Sequence, residues 1–145
     1  MTAQLTQNEL VERLVAAGIR PDDDSIDVWA SYLDQKLAFP YCPRCNYWIY
    51  MPRSLCPKCW STELDLRELS GRGTVYTFTI DRNVSELQVV GLIELADQPG
   101  LRMVTPIVDC AADDVAIGMD VSLAWLDFRG VPVPAFAPAR AGDAK

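Results

Sequence analysis

The spacing of hydrophobic residues splits the chain into a helical stretch, an irregular stretch and a strand-rich stretch. In residues 6–17, Leu10, Leu14 and Val15 fall on one side of a 3.6-residue period, which predicts an amphipathic helix. Thr6 supplies its cap, and Glu9, three residues on, reaches back to the cap amide. Leu5 and Leu10 flank this box as a hydrophobic staple. Gly18 provides the stop. The run PDDDS (21–25) then places three aspartates where the positive end of a second helix dipole favours them. Ile26, Trp29, Leu33 and Leu37 continue at helical spacing up to Pro40, predicting a second helix whose stripe packs into a core.

From residue 74 the period falls to two. In TVYTFTI (74–80), Tyr76, Phe78 and Ile80 alternate with Thr77 and Thr79, the signature of a half-buried strand, with Tyr76 and Phe78 facing a core. LQVVGLIEL (87–95), LRMVTPIVDC (101–110), DVSLAWLDF (120–128) and VPVPAFA (131–137) complete a set of five short strands, and the D-Q-P-G turn joins the second to the third. An all-β barrel or sandwich accommodates such a set. Gly91 and Pro106, inside strands, predict bulges or bends. Asp113 and Asp114 read as a solvated turn, and the last residues, 141–145, as a frayed tail.

Between the two patterned regions lies YCPRCNYWIYMPRSLCPKCW (41–60), with four of the five cysteines. Cys42, Cys45, Cys56 and Cys59 form C-x2-C-x10-C-x2-C. Two residues between paired thiolates let each pair grip one ion from a tight turn, and two such turns complete a tetrahedral sulfur shell. Sulfur donors of this kind suit Zn2+, with iron the alternative. A four-cysteine site is coordinatively closed, so the metal is expected to be structural. The boundaries that follow are 1–40 for a helical segment, 41–66 for a zinc ribbon, 67–140 for the barrel and 141–145 for the tail.

The totals narrow the function. The net charge is −7. Residues 1–40 carry three basic and seven acidic side chains, residues 83–145 four and nine, and residues 41–82 six and four. A chain with so little positive field is a poor polyanion binder. No apolar run approaches the roughly 20 residues of a membrane span, and MTAQLTQNEL lacks the features of a secretory signal. These features lead to a cytoplasmic address, where thiols stay reduced and bind metal. With no histidine, Ser-His and Cys-His catalysis are excluded. Cys110, next to Asp109, reads as a buried packing residue rather than a nucleophile. Tyr47 to Pro52 is too apolar a run for a small ribbon to bury entirely, so part of it covers the metal turns or meets a partner.

Three blocks carry a resemblance: CPRCNYWIYMPRSLCPKC, ELSGRGTVYTFTI, and IGMDVSLAW with the closing PAFAP. Together they resemble an acyl-CoA-associated family that couples a rubredoxin-like zinc ribbon to an OB-fold. Its members were long catalogued as a domain of unknown function. The likeness spans about residues 25–140, and helix 6–17 looks like an addition. It implies a mainly β chain with N-terminal helices, a zinc ribbon and a C-terminal five-stranded OB-fold barrel. It also implies a non-catalytic subunit of a thiolase-like acyl-CoA complex, active in thiolytic or Claisen-type acyl transfer, with no activity of its own. One small subunit on each protomer of a thiolase-like dimer gives a heterotetramer, with acyl-CoA at the shared interface. An acyl-CoA aldolase or another acyltransferase is the alternative partner. In the family pattern a glycine often follows the first CxxC. Here Asn46 takes that place, and asparagine tolerates the left-handed turn. On this reading Arg53 and Arg72 approach the CoA phosphates, while Trp48 and Tyr50 offer apolar surface. A competing class, single-stranded nucleic-acid binding, would use Tyr76 and Phe78 as a stacking platform, but the required positive field is missing and no nucleic-acid partner is expected.

Overall fold

A computed structural model describes residues 5–83 and 85–140. They contain two helices, α1 (Gln7–Ala16) and α2 (Ile26–Leu33), and eight strands: β1 (Ala38–Cys42), β2 (Tyr47–Trp48), β3 (Asp65–Glu68), β4 (Arg72–Asp81), β5 (Gln88–Leu95), β6 (Arg102–Ile107), β7 (Asp120–Phe128) and β8 (Val131–Pro138). Contacts group them into two compact units. One holds the residues up to Glu68 with Leu126–Val133, and the other holds Leu69–Trp125 with the residues from Pro134 on.

In the first unit, α1 starts as its sequence dictates. Glu9 N–H donates to Thr6 Oγ1 at 3.3 Å, and Thr6 N–H donates to Glu9 Oε2 at 2.7 Å. Those bonds hold the Glu9 carboxyl below its ordinary pKa, the backbone bond contributing most. Gly18, at φ +84°, ends the helix, with Gly18 N–H on the Val15 carbonyl and Ile19 N–H on the Leu14 carbonyl, a Schellman closure. The buried stripe is Leu10, Leu14 and Ala17; Val15 and Leu5 are exposed, so the predicted position 15 and the Leu5 half of the staple lie outside it. Val131 joins the cluster beside Leu10, Leu14 and Ala17, and Arg13 donates to the Gly130 carbonyl at 2.8 Å.

The second helix is shorter than its hydrophobic spacing predicts. Asp22 opens it, accepting from Ser25 N–H at 2.8 Å while its own N–H donates to Ser25 Oγ. Gln35 closes it at φ +55°. Gln35 N–H reaches the Tyr32 carbonyl and Lys36 N–H the Ser31 carbonyl, a second Schellman closure, with glutamine in the left-handed position. Leu37 is fully buried but lies in the link to β1, not on the helix. The Gln35 closure makes the stop; Pro40 restricts only Phe39, which is already in β1.

Strands β2, β1 and β3 form an antiparallel ribbon sheet with β1 central. In the second unit, β4-β5-β6-β8-β7 close a barrel in which β6 and β8 run parallel. Its core includes Val75, Ile93, Leu95, Met103, Val121 and Phe136. The register shifts between Val75 and Thr77, and this bulge resets the pleat. Gly73 and Val75 face inward before it, and Phe78 and Ile80 lie opposite inward Gly91 and Val89 after it. Tyr76, predicted as core, is therefore the extra residue and is 48% exposed. No register break falls at Gly91 or Pro106 in the β5–β6 ladder. Gly91 instead lets Ile107 cross close by: a Cβ there would lie 2.7 Å from Ile107 Cδ1. Strands β7 and β8 meet in a two-residue turn with Arg129 and Gly130 both at positive φ, a type I′ hairpin. The 141–145 tail lies outside the described residues.

Candidate metal centre

The four cysteines of the repeated C-P-x-C turns come together. Their sulfur atoms all lie within 4.8 Å of one another. Cys42 and Cys56 are buried, and Cys45 and Cys59 are partly buried. Strand β1 delivers Cys42, and the turn 42–46 returns the chain into β2, where Tyr47 pairs with Cys42. Asn46 adopts φ +53°, as expected for an asparagine in a glycine's place. In the second turn Cys56 N–H donates to the Ser61 carbonyl, and Trp60 N–H to the Cys56 carbonyl, both at 2.9 Å. Trp60 then takes the position matching Asn46, at φ +62°.

The geometry suits one tetrahedral ion. Metal–sulfur bonds of about 2.3 Å place sulfurs roughly 3.8 Å apart, and Cys42 Sγ and Cys59 Sγ are 3.7 Å apart. A disulfide would need about 2.05 Å. The electrostatics also call for a cation. Burial pushes the Cys56 thiol up, but the N–H groups of Cys59 and Lys58 and the side chains of Cys42 and Cys59, all hydrogen-bonded to its sulfur, together outweigh this and bring its pKa to about 7. Cys45, hydrogen-bonded to Cys59 and partly desolvated, is pushed up to about 12. Thiols this close cannot all ionise together unless a positive ion sits among them.

The apolar shell is thin. Ile49 is the one fully buried non-cysteine residue in this cluster, with Tyr47 and Leu64 packed against it. Lys58 Nζ sits 4.6 Å from the Tyr47 ring centre, linking the second turn to the first. Of the apolar run, Tyr47 and Ile49 cover the metal turns, Trp48 meets Tyr41 edge-on at 5.0 Å, and Tyr50 packs on Phe39 at 5.1 Å. Met51 is 62% exposed.

The other candidate residues separate. Trp48, Tyr50 and Arg53 lie in the first unit and Arg72 in the second. Arg53 lines a cleft of about 230 Å³ with Asp23, Asp24 and Asp27, whose charges oppose an incoming phosphate. Arg72 lines a cleft of about 410 Å³ at one end of the barrel with Thr74, Glu94, Leu95, Asp120 and Val121. Cys110, expected to be buried, is only partly so, because it sits in the loop after β6 and donates to the Ala111 carbonyl. Partial burial and then the Asp114 carboxylate push its pKa up, the reverse of an activated thiol. Sequence reasoning missed the group formed by Tyr76, Arg102 and Glu94. Arg102 lies 3.8 Å from the Tyr76 ring centre and pairs with Glu94 at 3.0 Å. The bulge that turns Tyr76 outward leaves no mark in the alternation. No described helix is long and apolar enough to cross a membrane.

The family model for the ChsH2 rubredoxin-like zinc ribbon domain matches residues 29–65, and that for the ChsH2 C-terminal OB-fold domain matches residues 66–126. A chain of the solved Ltp2-ChsH2(DUF35) aldolase is 31% identical and superposes with a TM-score of 0.75, over 83% of this chain and 100% of that one. The chain belongs to the ChsH2/DUF35 family. A DUF35 domain-containing scaffold protein of Methanocaldococcus jannaschii is 38% identical over 87 residues, 55% of this chain and 60% of that protein. A probable enoyl-CoA hydratase alpha subunit of Thermomonospora curvata is 34% identical over 111 residues, 72% of this chain and 34% of that protein. The chain thus spans only a third to three fifths of the length of these two relatives. As a ChsH2/DUF35 member it has the expected mainly β build: a four-cysteine ribbon placed for metal binding and an OB-fold barrel.

Proposed function

We propose that the chain is a non-catalytic scaffold subunit that docks on a larger thiolase-like catalytic subunit and helps shape its acyl-CoA channel. The observation that carries this reading is the likeness to the full length of a chain of the Ltp2-ChsH2(DUF35) aldolase. The chemistry of the chain is consistent with that division of labour. A tetrathiolate shell leaves no coordination position for a reacting water, and a chain without histidine has no imidazole base. In this reading the partner provides the nucleophile and the base, and cleaves or forms a carbon–carbon bond of an acyl-CoA. The ribbon holds Zn2+ as a structural ion, with iron as the alternative, in a reducing cytoplasmic setting. Of the two arginines, Arg72 is the better phosphate ligand, because its cleft holds Asp120 and a Glu94 already paired with Arg102, whereas Arg53 shares its cleft with four aspartates, of which Asp65 is paired with Arg67. Trp48 and Tyr50 contribute apolar surface to the shared interface.

A second reading, in which the partner is a hydratase, draws on the likeness to the enoyl-CoA hydratase alpha subunit. One experiment separates them. The tagged chain is co-expressed in turn with the aldolase-type, thiolase-type and hydratase-type subunits of its own genome. Each purified complex is assayed for retro-aldol cleavage, thiolysis and hydration of acyl-CoA. The expected result is a stoichiometric complex with an aldolase- or thiolase-type subunit, and no turnover by the chain alone. A complex with the hydratase alone selects the second reading. Binding to none of the three, turnover by the isolated chain, or sub-micromolar salt-sensitive binding to an oligonucleotide overturns the proposal.

A further inference from the structure

The two metal turns are built alike but end differently. After each C-P-x-C the chain passes through the left-handed region, at Asn46 in the first turn and at Trp60 in the second. Asparagine tolerates that backbone; a bulky side chain there is an outlier. Trp60 is also 75% exposed, the most exposed of the large hydrophobic residues described. Both features work against the isolated fold. Trp60 has no ring contact among the described residues.

Its surroundings define the surface. Trp60 lines an open cleft with Pro43, Arg44, Thr62 and Glu63. From Gln35 to Thr62 the chain carries Lys36, Arg44, Arg53 and Lys58 and no acidic residue, although the whole chain is at −7. Lys36 and Arg53 line other clefts and Glu63 lines the one at Trp60, so the cations this surface offers a partner are Arg44 and Lys58.

We propose that Trp60 is the anchor through which the ribbon docks on the catalytic subunit, its indole entering an apolar socket whose acidic rim faces Arg44 and Lys58. This rests on the scaffold reading above and names the surface it uses. Tryptophan and arginine are enriched among the few residues that carry most of the binding energy at interfaces, and opposite charges would steer the encounter. Nucleic acid is the poorer fit, since one open ring gives no path of stacked bases. A second copy is poorer too, because a two-fold contact centred on Trp60 sets Arg44 and Lys58 near their own counterparts.

The test is Trp60→Asn, which copies Asn46 and removes the backbone outlier. The probe is the catalytic subunit that forms the complex in the co-expression experiment. The variant is expected to keep its metal content and a melting temperature no lower than wild type. Its dissociation constant for the catalytic subunit should rise about 30-fold, equivalent to about 2 kcal/mol. Trp60→Phe should retain part of the affinity, and the Arg44→Glu, Lys58→Glu double variant should slow association. Amide exchange at residues 55–63 should slow in the wild-type complex. Undiminished binding by Trp60→Asn, with a wild-type complex that forms normally, rejects the anchor and leaves the scaffold reading standing. Failure of wild type to bind any of the three catalytic subunits rejects both. Concentration-dependent dimerisation, or oligonucleotide binding, that is lost in Trp60→Asn also rejects the anchor.

Discussion

Gly73→Ala adds a single methyl group where the barrel has no room for one. Gly73 is buried in β4 and pairs with Leu95 of β5. A Cβ at this position would lie 2.7 Å from the Glu94 carbonyl oxygen and 2.8 Å from Ile93 Cγ2. Unstrained carbon contacts lie at about 3.5–4.0 Å, so the neighbours must retreat by most of an ångström. One of them is backbone in the paired strand, and Ile93 is fully buried; neither can swing away. Overpacking of this kind costs about 1–3 kcal/mol. Replacing glycine returns about 0.4–1 kcal/mol through the unfolded chain; with a backbone oxygen in the way the cost lies in the upper half of that range, leaving a net loss of about 1–2.6 kcal/mol. For a chain of this size that corresponds to a fall in melting temperature of about 2–8 °C. Thermal unfolding followed by circular dichroism on the metal-loaded chain measures it, and metal content should not change. Gly91→Ala is the internal comparison. Its nearest contact, Ile107 Cδ1 at 2.7 Å, is the end of a side chain, so the loss should be smaller. A Gly73→Ala variant as stable as wild type, or less destabilised than Gly91→Ala, would refute the reasoning.

Cys42→Ser should remove the metal and unfold the ribbon, because Ile49 alone gives the cluster almost no core to fall back on. Loss of exchange protection over residues 41–64, with the barrel amides still protected, is the pattern to look for. Thr6→Ala should destabilise α1 by about 1 kcal/mol, seen as faster exchange in residues 7–16. Glu9 has a lowered folded pKa, so its contribution is complete above the ordinary carboxylate range and disappears as pH falls through that lowered value. Protection factors near the start of α1, corrected for the intrinsic pH dependence of amide exchange, should therefore fall only on acidification. Arg72→Glu should weaken acyl-CoA binding by the complex about tenfold or more, whereas Arg53→Glu should change it little; isothermal titration distinguishes the two.

The local signals with a fixed chemistry were legible in the sequence. Thr6 with Glu9, Gly18, the four cysteines and Asn46 each require a particular backbone or partner, and the structure has each of them in that role. Strands β7 and β8 were also visible to within a residue, since the Arg129-Gly130 pair between them forms the tight turn. What could not be read depends on partners distant in sequence. Tyr76 continues the alternation of Phe78 and Ile80, yet one extra residue in β4 turns it outward beneath Arg102. Leu37 fits the helical stripe, but the closure at Gln35 moves it into a link. Trp60 resembled any aromatic beside a metal turn until its backbone and exposure were known.

The account depends most on the four sulfurs clamping one structural ion. Elemental analysis of the purified, folded chain tests this directly, combined with thermal unfolding before and after exhaustive chelation. One zinc per chain is expected, with iron the alternative, and chelation should melt the ribbon. A metal-free chain with the same melting curve and an intact ribbon would contradict it.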